Sequence, residues 1–150
     1  MKPQAHQITA VAIAGRALLI DGAPGSGKSS LALALIDRGA VLIGDDGVML
    51  ETQQGTLLVS PHPNTRGLIE VRNLGILTFP LCPQAPASLV IRLAPEAPRF
   101  IDEPDHCTLQ GIPMPLVLLY EGGPNLAIKA ELALNRYGLA DGQVPSGDAR

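Results

Sequence analysis

Apolar residues along this chain gather into short runs, punctuated by glycine, proline and asparagine. "ALLID" (17–21) and "AVLI" (40–43) are nearly continuous, as strands buried on both faces tend to be. Residues 8–21 read as two short strands around a turn at Ala14-Gly15-Arg16. Between the two apolar runs, 22–27 is a turn and 28–38 is a predicted helix. Leu31, Leu33, Leu35 and Ile36 give that helix a broad apolar face, and Gly39 is a good C-terminal stop. Strand, helix and strand within some thirty residues predict a βαβ unit with parallel strands and a right-handed crossover.

Further strands are expected at "TLLVS" (56–60), "ASLVIRLA" (87–94) and "PLVLLY" (115–120). Pro61, Pro63 and Asn64 break the chain, and a short helix or turn is expected over 65–72, ahead of "GILTF" (75–79), which Pro80 closes. Residues 95–112 read as a polar, proline-broken loop with a hairpin. A closing helix is predicted over 125–137, with Leu126, Leu132 and Leu134 inward. One domain over 1–139 and a frayed tail over 140–150 follow, with no internal repeat.

Composition narrows the class. The 150 residues are 46% hydrophobic and 17% charged, which suits a chain that folds around a core. Net charge is −3 and the 11 Lys and Arg are scattered, so no basic footprint for nucleic acid is present. Aromatics are 3%, too few for a base-stacking surface. Cys82 and Cys107 have no paired spacing and read as reduced, semi-buried thiols. The apolar stretch from residue 8 to 20 is broken by Thr9 and Arg16, too short and mixed for a membrane span. The expectation is a cytoplasmic protein with no membrane contact.

The strongest local signal is Gly22-Ala23-Pro24-Gly25-Ser26-Gly27-Lys28-Ser29, which fits G-x-x-x-x-G-K-[ST] between a strand and a helix. Glycines let successive backbone N–H groups wrap an anion, and the helix N-terminus adds partial positive charge. In that reading Lys28 reaches the β- and γ-phosphates of ATP, and Ser29 offers a hydroxyl to Mg²⁺.

Asp45 and Asp46 follow Lys28 by 17 and 18 residues, at the end of the next strand. Consecutive side chains there point in different directions. One carboxylate can face a metal while the other accepts a proton from a nucleophile. Asp-Asp-Gly is also ordinary turn chemistry, which is the competing reading.

These motifs, with "GLIEVRNLGIL" (67–77) downstream, resemble the catalytic domain of the HPr kinase/phosphorylase family. The similarity runs from about His6 to Leu139. The resemblance implies a mixed α/β sheet with a P-loop and flanking helices, akin to phosphoenolpyruvate carboxykinase. It implies ATP and Mg²⁺ as cofactors, an HPr-like phosphocarrier as partner and a homo-oligomer, a hexamer in the family. Lys28 and Ser29 match the family's catalytic lysine and metal-binding serine. Asp45 and Asp46 match the pair that contains the proton acceptor, with Asp46 the favoured base and Asp45 a metal ligand. Glu70 matches a second metal ligand, Arg72 lies inside the signature, and His6 resembles a histidine that works beside the aspartate. Without the resemblance Glu70 and Arg72 read as a solvated pair on a turn. His62 and His106 receive no role.

The chain also departs from the pattern. The resemblance implies a short proteobacterial form without the N-terminal domain of full-length members. A late family motif close to Pro-Gly-Arg-Asn reads here within "EGGPN" (121–125), keeping Asn125 and losing the arginine. The family ties that region to the phosphorylase direction, so the reverse reaction stays open. Arg92 and Arg99 are the candidates for a further family arginine. Two rival functions remain at this level: a small-molecule kinase, and an ATP-binding regulatory module with little catalysis.

Overall fold

The computed structural model describes residues 2–140. The expected tail, beyond residue 140, lies outside the described residues. Among them, a nine-stranded mixed sheet carries two helices on one face. A separate two-stranded hairpin stands beside it.

The first strands are β1 (Gln4–His6), β2 (Thr9–Ile13) and β3 (Arg16–Gly22). A tight turn joins β2 and β3, with Ala14 at φ 51° and Gly15 at φ 82°. That left-handed pair matches the twist of an antiparallel hairpin. Helix α1 (Lys28–Asp37) follows, then β4 (Val41–Gly44), β5 (Val48–Gln53) and β6 (Thr56–Pro61). The hairpin is β7 (Leu68–Val71) with β8 (Gly75–Thr78). Last come β9 (Ala85–Ala94), β10 (Asp105–Leu109), β11 (Ile112–Tyr120) and α2 (Leu126–Tyr137).

β3, β9 and β11 are parallel neighbours in that order. Their carboxyl ends share one edge, where sheets of this kind place ligands. β9 meets β6 at its start and β11 at its end, so one long strand ties both arms of the sheet together. Alternation divides the core. Leu18 and Ile20 of β3 join Leu31, Leu35 and Leu134 under the helices, while Leu19 faces the opposite cluster with Val48, Leu50 and Met114. That two-sided burial is why "ALLID" reads as an unbroken apolar run.

Helix α1 stops where expected. Gly39, at φ 110°, donates to the Ile36 carbonyl, and Ala40 N–H reaches back to Leu35 O, both at 3.0 Å.

β3 and β4 run in the same direction, as expected, with β2 between them and antiparallel to both. Other expectations are corrected. Of the helix or turn expected over 65–72, a turn forms at 65–67, and β7 takes the place of a helix after it, with Ile69 its buried anchor. β5 was not expected, since Glu51 and Thr52 interrupt its apolar positions. In α2, Leu134 is inward as expected, but Leu132 is 61% exposed and Ala130 and Ala133 take the inner face.

Candidate active site

Gly22 ends β3 and opens the loop. A Cβ there would lie 2.6 Å from Ser26 Oγ and 3.1 Å from Leu93 O, so only glycine lets the loop turn back this close to β9. Ser26 N–H closes a turn on Ala23 O at 3.0 Å. Gly27, at φ 100°, caps α1 with no side chain over the first turn, leaving the free N–H groups of the helix open. The Ser26 hydroxyl is buried and has no hydrogen-bond partner among the described residues. An orphaned buried hydroxyl in a glycine-rich loop fits an anion held there.

Lys28 and Ser29 begin α1, and the aspartates follow β4. Ser29 Oγ donates to Asp45 Oδ1 at 2.7 Å. Lys28 Nζ lies 3.8 Å from Asp46 Oδ1. The two pairs place one cation and one hydroxyl from the helix against one carboxylate each. Asp46 adopts φ 55°, a left-handed conformation that aspartate tolerates and most residues do not. The kink turns Asp45 and Asp46 to different partners.

Thr9 fixes this kink. Its hydroxyl accepts the Asp46 N–H at 3.0 Å and donates to Asp45 Oδ1 at 3.2 Å. Thr9 is fully buried on β2, the strand between β3 and β4. No role for it came from the sequence, although a polar residue interrupting an apolar run was the available signal. Asp45 Oδ1 therefore takes two hydroxyl donors, while Oδ2 accepts no hydrogen bond from the described residues. A serine hydroxyl and a carboxylate are hard oxygen donors suited to Mg²⁺.

The remaining candidates divide. His6 sits opposite Val48 on β5, two residues past Asp46, and its Nε2 is buried without a partner among the described residues. It belongs to the surroundings of the aspartate turn. Glu70 and Arg72 are exposed on the hairpin and, among the described residues, make no ion pair or side-chain hydrogen bond with the loop or the aspartates. β7 itself packs against α1. His62 stands closer than expected: a Cβ on Gly47 would meet His62 Cβ and Thr65 Oγ1, both at 3.8 Å. Arg92 is ion-paired with Asp21 at 2.9 Å, and Arg99 is exposed in the loop after β9.

A buried strand, a glycine-rich loop opening a helix and two carboxylates at the end of β4 place this chain in the class of mixed α/β proteins with a loop suited to an anion. Comparison with known proteins narrows that class. The family model described as HPr Serine kinase C-terminal domain matches residues 2–81. The chain belongs to that family. An HPr kinase/phosphorylase of Limosilactobacillus reuteri is 36% identical over 141 residues, covering 85% of this chain and 44% of its own length. One of Clostridium acetobutylicum is 31% identical over 140 residues, covering 85% and 46%. The chain thus spans about half the length of the curated relatives it matches. A solved structure described as the Hpr(Ser) kinase/phosphatase from Coxiella burnetii superposes with a TM-score of 0.76 at 29% identity, over 88% of this chain and 94% of that one. The mixed α/β architecture read from the sequence agrees with that likeness.

Proposed function

We propose that this chain is an ATP-dependent serine kinase acting on an HPr-like phosphocarrier protein, with its catalytic domain over 1–139. The observation that carries the reading is the pairing of Ser29 with Asp45 beside the pairing of Lys28 with Asp46. The loop 22–29 binds the triphosphate through its backbone N–H groups, and Lys28 lies against the terminal phosphates. Ser29 and Asp45 would hold Mg²⁺, and the resemblance adds Glu70 as a further ligand; the ion would supply positive charge to the phosphate oxygens. Asp46, 62% exposed, is open to an incoming hydroxyl. It takes the proton of the acceptor serine as the serine oxygen bonds to the γ-phosphorus and the bond to the β–γ bridging oxygen breaks, releasing ADP. The resemblance has His6 work beside the aspartate, and its strand β1 pairs with β5 directly after the aspartate turn. Arg72 is carried over from the family signature as a further catalytic residue.

The protein works in the cytoplasm in this reading; no helix among the described residues is long and apolar enough to cross a membrane. The exposed Leu74 and Ile76 of the hairpin offer surface for the homo-oligomer, a hexamer, that the resemblance implies.

The test mixes the purified protein with Mg²⁺, γ-labelled ATP and the HPr-like carrier of the same organism. Label is expected on a carrier serine and lost with Asp46→Asn and with Lys28→Ala. ATP binding without label on the carrier overturns the kinase reading for that partner.

A further inference from the structure

We propose that the cavity between α1 and the turn from β11 to α2 is a nucleoside subsite in which Glu121 holds the ribose hydroxyls. The inference rests on the phosphate-binding reading above and adds the place of the rest of the nucleotide.

The cavity, of about 490 Å³, starts at Gly25 and Gly27 of the phosphate loop and runs along α1 to Ala34. Seven residues of helix from Gly27 to Ala34 span about 10 Å. That is the scale of the distance from a nucleotide's phosphates to its base. The strand order gives the same length from another direction. β3 ends in the phosphate loop and β11 ends just before Glu121, with β9 between them. Two strand spacings amount to about 10 Å. The Glu121 N–H, bonded to Ala94 O at 3.0 Å, fixes the turn onto the end of β9.

The lining chemistry assigns the parts. Leu31 and Ala34 on one side face Pro124, Leu126 and Ala127 on the other. These walls present no side-chain donor or acceptor and suit the faces of a flat ring. Besides the hydroxyls of Ser26 in the loop and Ser30 at the start of α1, Glu121 is the polar side chain of the cavity, and it is the charged one. A carboxylate accepts hydrogen bonds and donates none. Beside an anionic triphosphate it needs a partner rich in O–H donors, and the vicinal ribose hydroxyls supply two. Gly123 and Pro124, which stand where the resembling family carries an arginine, thereby become cavity wall.

The test measures binding rather than turnover, by calorimetry with Mg²⁺ on the full chain. The probes are ATP, GTP, 2′,3′-dideoxy-ATP and inorganic tripolyphosphate. The variants are Glu121→Ala and Ala34→Met; residue 34 is exposed on α1 and methionine is a good helix former, so the fold holds. Tripolyphosphate should bind the parent and both variants with no loss. ATP should bind about tenfold more weakly to each variant. The dideoxy nucleotide should lose about tenfold on the parent and nothing further on Glu121→Ala. If ATP binds both variants as it binds the parent, the subsite is wrong while the phosphate loop stands. A gap between ATP and GTP that closes in Glu121→Ala, with no dideoxy effect, gives Glu121 to the base and overturns the ribose assignment. If the parent binds neither ATP nor tripolyphosphate, the phosphate-binding reading fails and this inference fails with it.

Discussion

The Ser29 hydroxyl lies 2.7 Å from Oδ1 of Asp45, joining the first turn of α1 to the end of β4. Thr9 meets the same oxygen from β2, so three elements converge on one carboxylate. The arrangement is held by hydrogen bonds that can be removed one at a time.

Thr9→Val keeps the shape of the side chain and removes its hydroxyl. The Asp46 N–H then loses its acceptor, at a cost of about 1–3 kcal/mol. In a domain of this size each kcal/mol lowers Tm by about 2–4 °C. Thr9→Ser should recover most of the loss. A thermal melt of both variants checks this, and equal melting for Thr9→Val and the parent would remove Thr9 from the account.

Asp46 separates conformation from chemistry. Asn tolerates the left-handed φ of 55°, so Asp46→Asn should melt like the parent while phosphoryl transfer falls about 10²–10⁴-fold. Asp46→Val should lose about as much transfer and an additional 1–2 kcal/mol or so of stability, because a β-branched residue is strained there. Transfer surviving in Asp46→Asn would move the base elsewhere.

Gly22→Ala tests the close turn of the loop. The new methyl would fall 2.6 Å from Ser26 Oγ and 3.1 Å from a backbone carbonyl, so the loop must shift. A loss of about 1–3 kcal/mol is expected, with tripolyphosphate affinity falling in parallel. Urea unfolding and calorimetry report the two effects separately.

The helix corrected above gives a contrast within three residues. Leu134→Ala should cost about 2–5 kcal/mol, because Leu134 is fully buried under the sheet. Leu132→Gln should change stability by no more than about 0.5 kcal/mol. Reversal of that order in urea unfolding would place the helix the other way round.

Burial pushes the Cys107 thiol above its ordinary value; Arg92 pulls it back and Asp21 pushes it further. Unfolded, the thiol ionises at its usual pH, so above that point the folded state holds a proton the unfolded state has released. Stability from this group is complete below the usual thiol range and declines as pH rises through it toward the raised folded value. Cys107→Ala should flatten that alkaline decline in urea titrations. At mildly alkaline pH, Cys107 should alkylate more slowly than an unfolded-peptide thiol.

The parts of the site legible in the sequence are those whose chemistry is local. The loop 22–29 needs glycines at fixed spacing, and its strand and helix stand where the pattern put them. The aspartate pair was visible from its place after a buried run. What was hidden depends on non-local pairing. Thr9 acts on residues 36 and 37 positions away, and only the sheet register brings them together. The hairpin of β7 and β8 was obscured because four of its apolar residues, Leu68, Leu74, Ile76 and Leu77, are exposed and follow no buried alternation. Leu132 misled for the opposite reason. Leucine at helical spacing reads as core, but the close approach of α2 to the sheet is made by alanines.

The position of β2 between β3 and β4 has a practical side. The glycine-rich loop hangs from one strand and the carboxylates from another, and the rung that spaces them comes from residues 9–13. Trimming the amino terminus past Thr9, which looks like tidying a short lead-in, would take out the central slat between the two halves of the site. Affinity tags and fusions at that end need a linker that leaves residue 9 and everything after it in place.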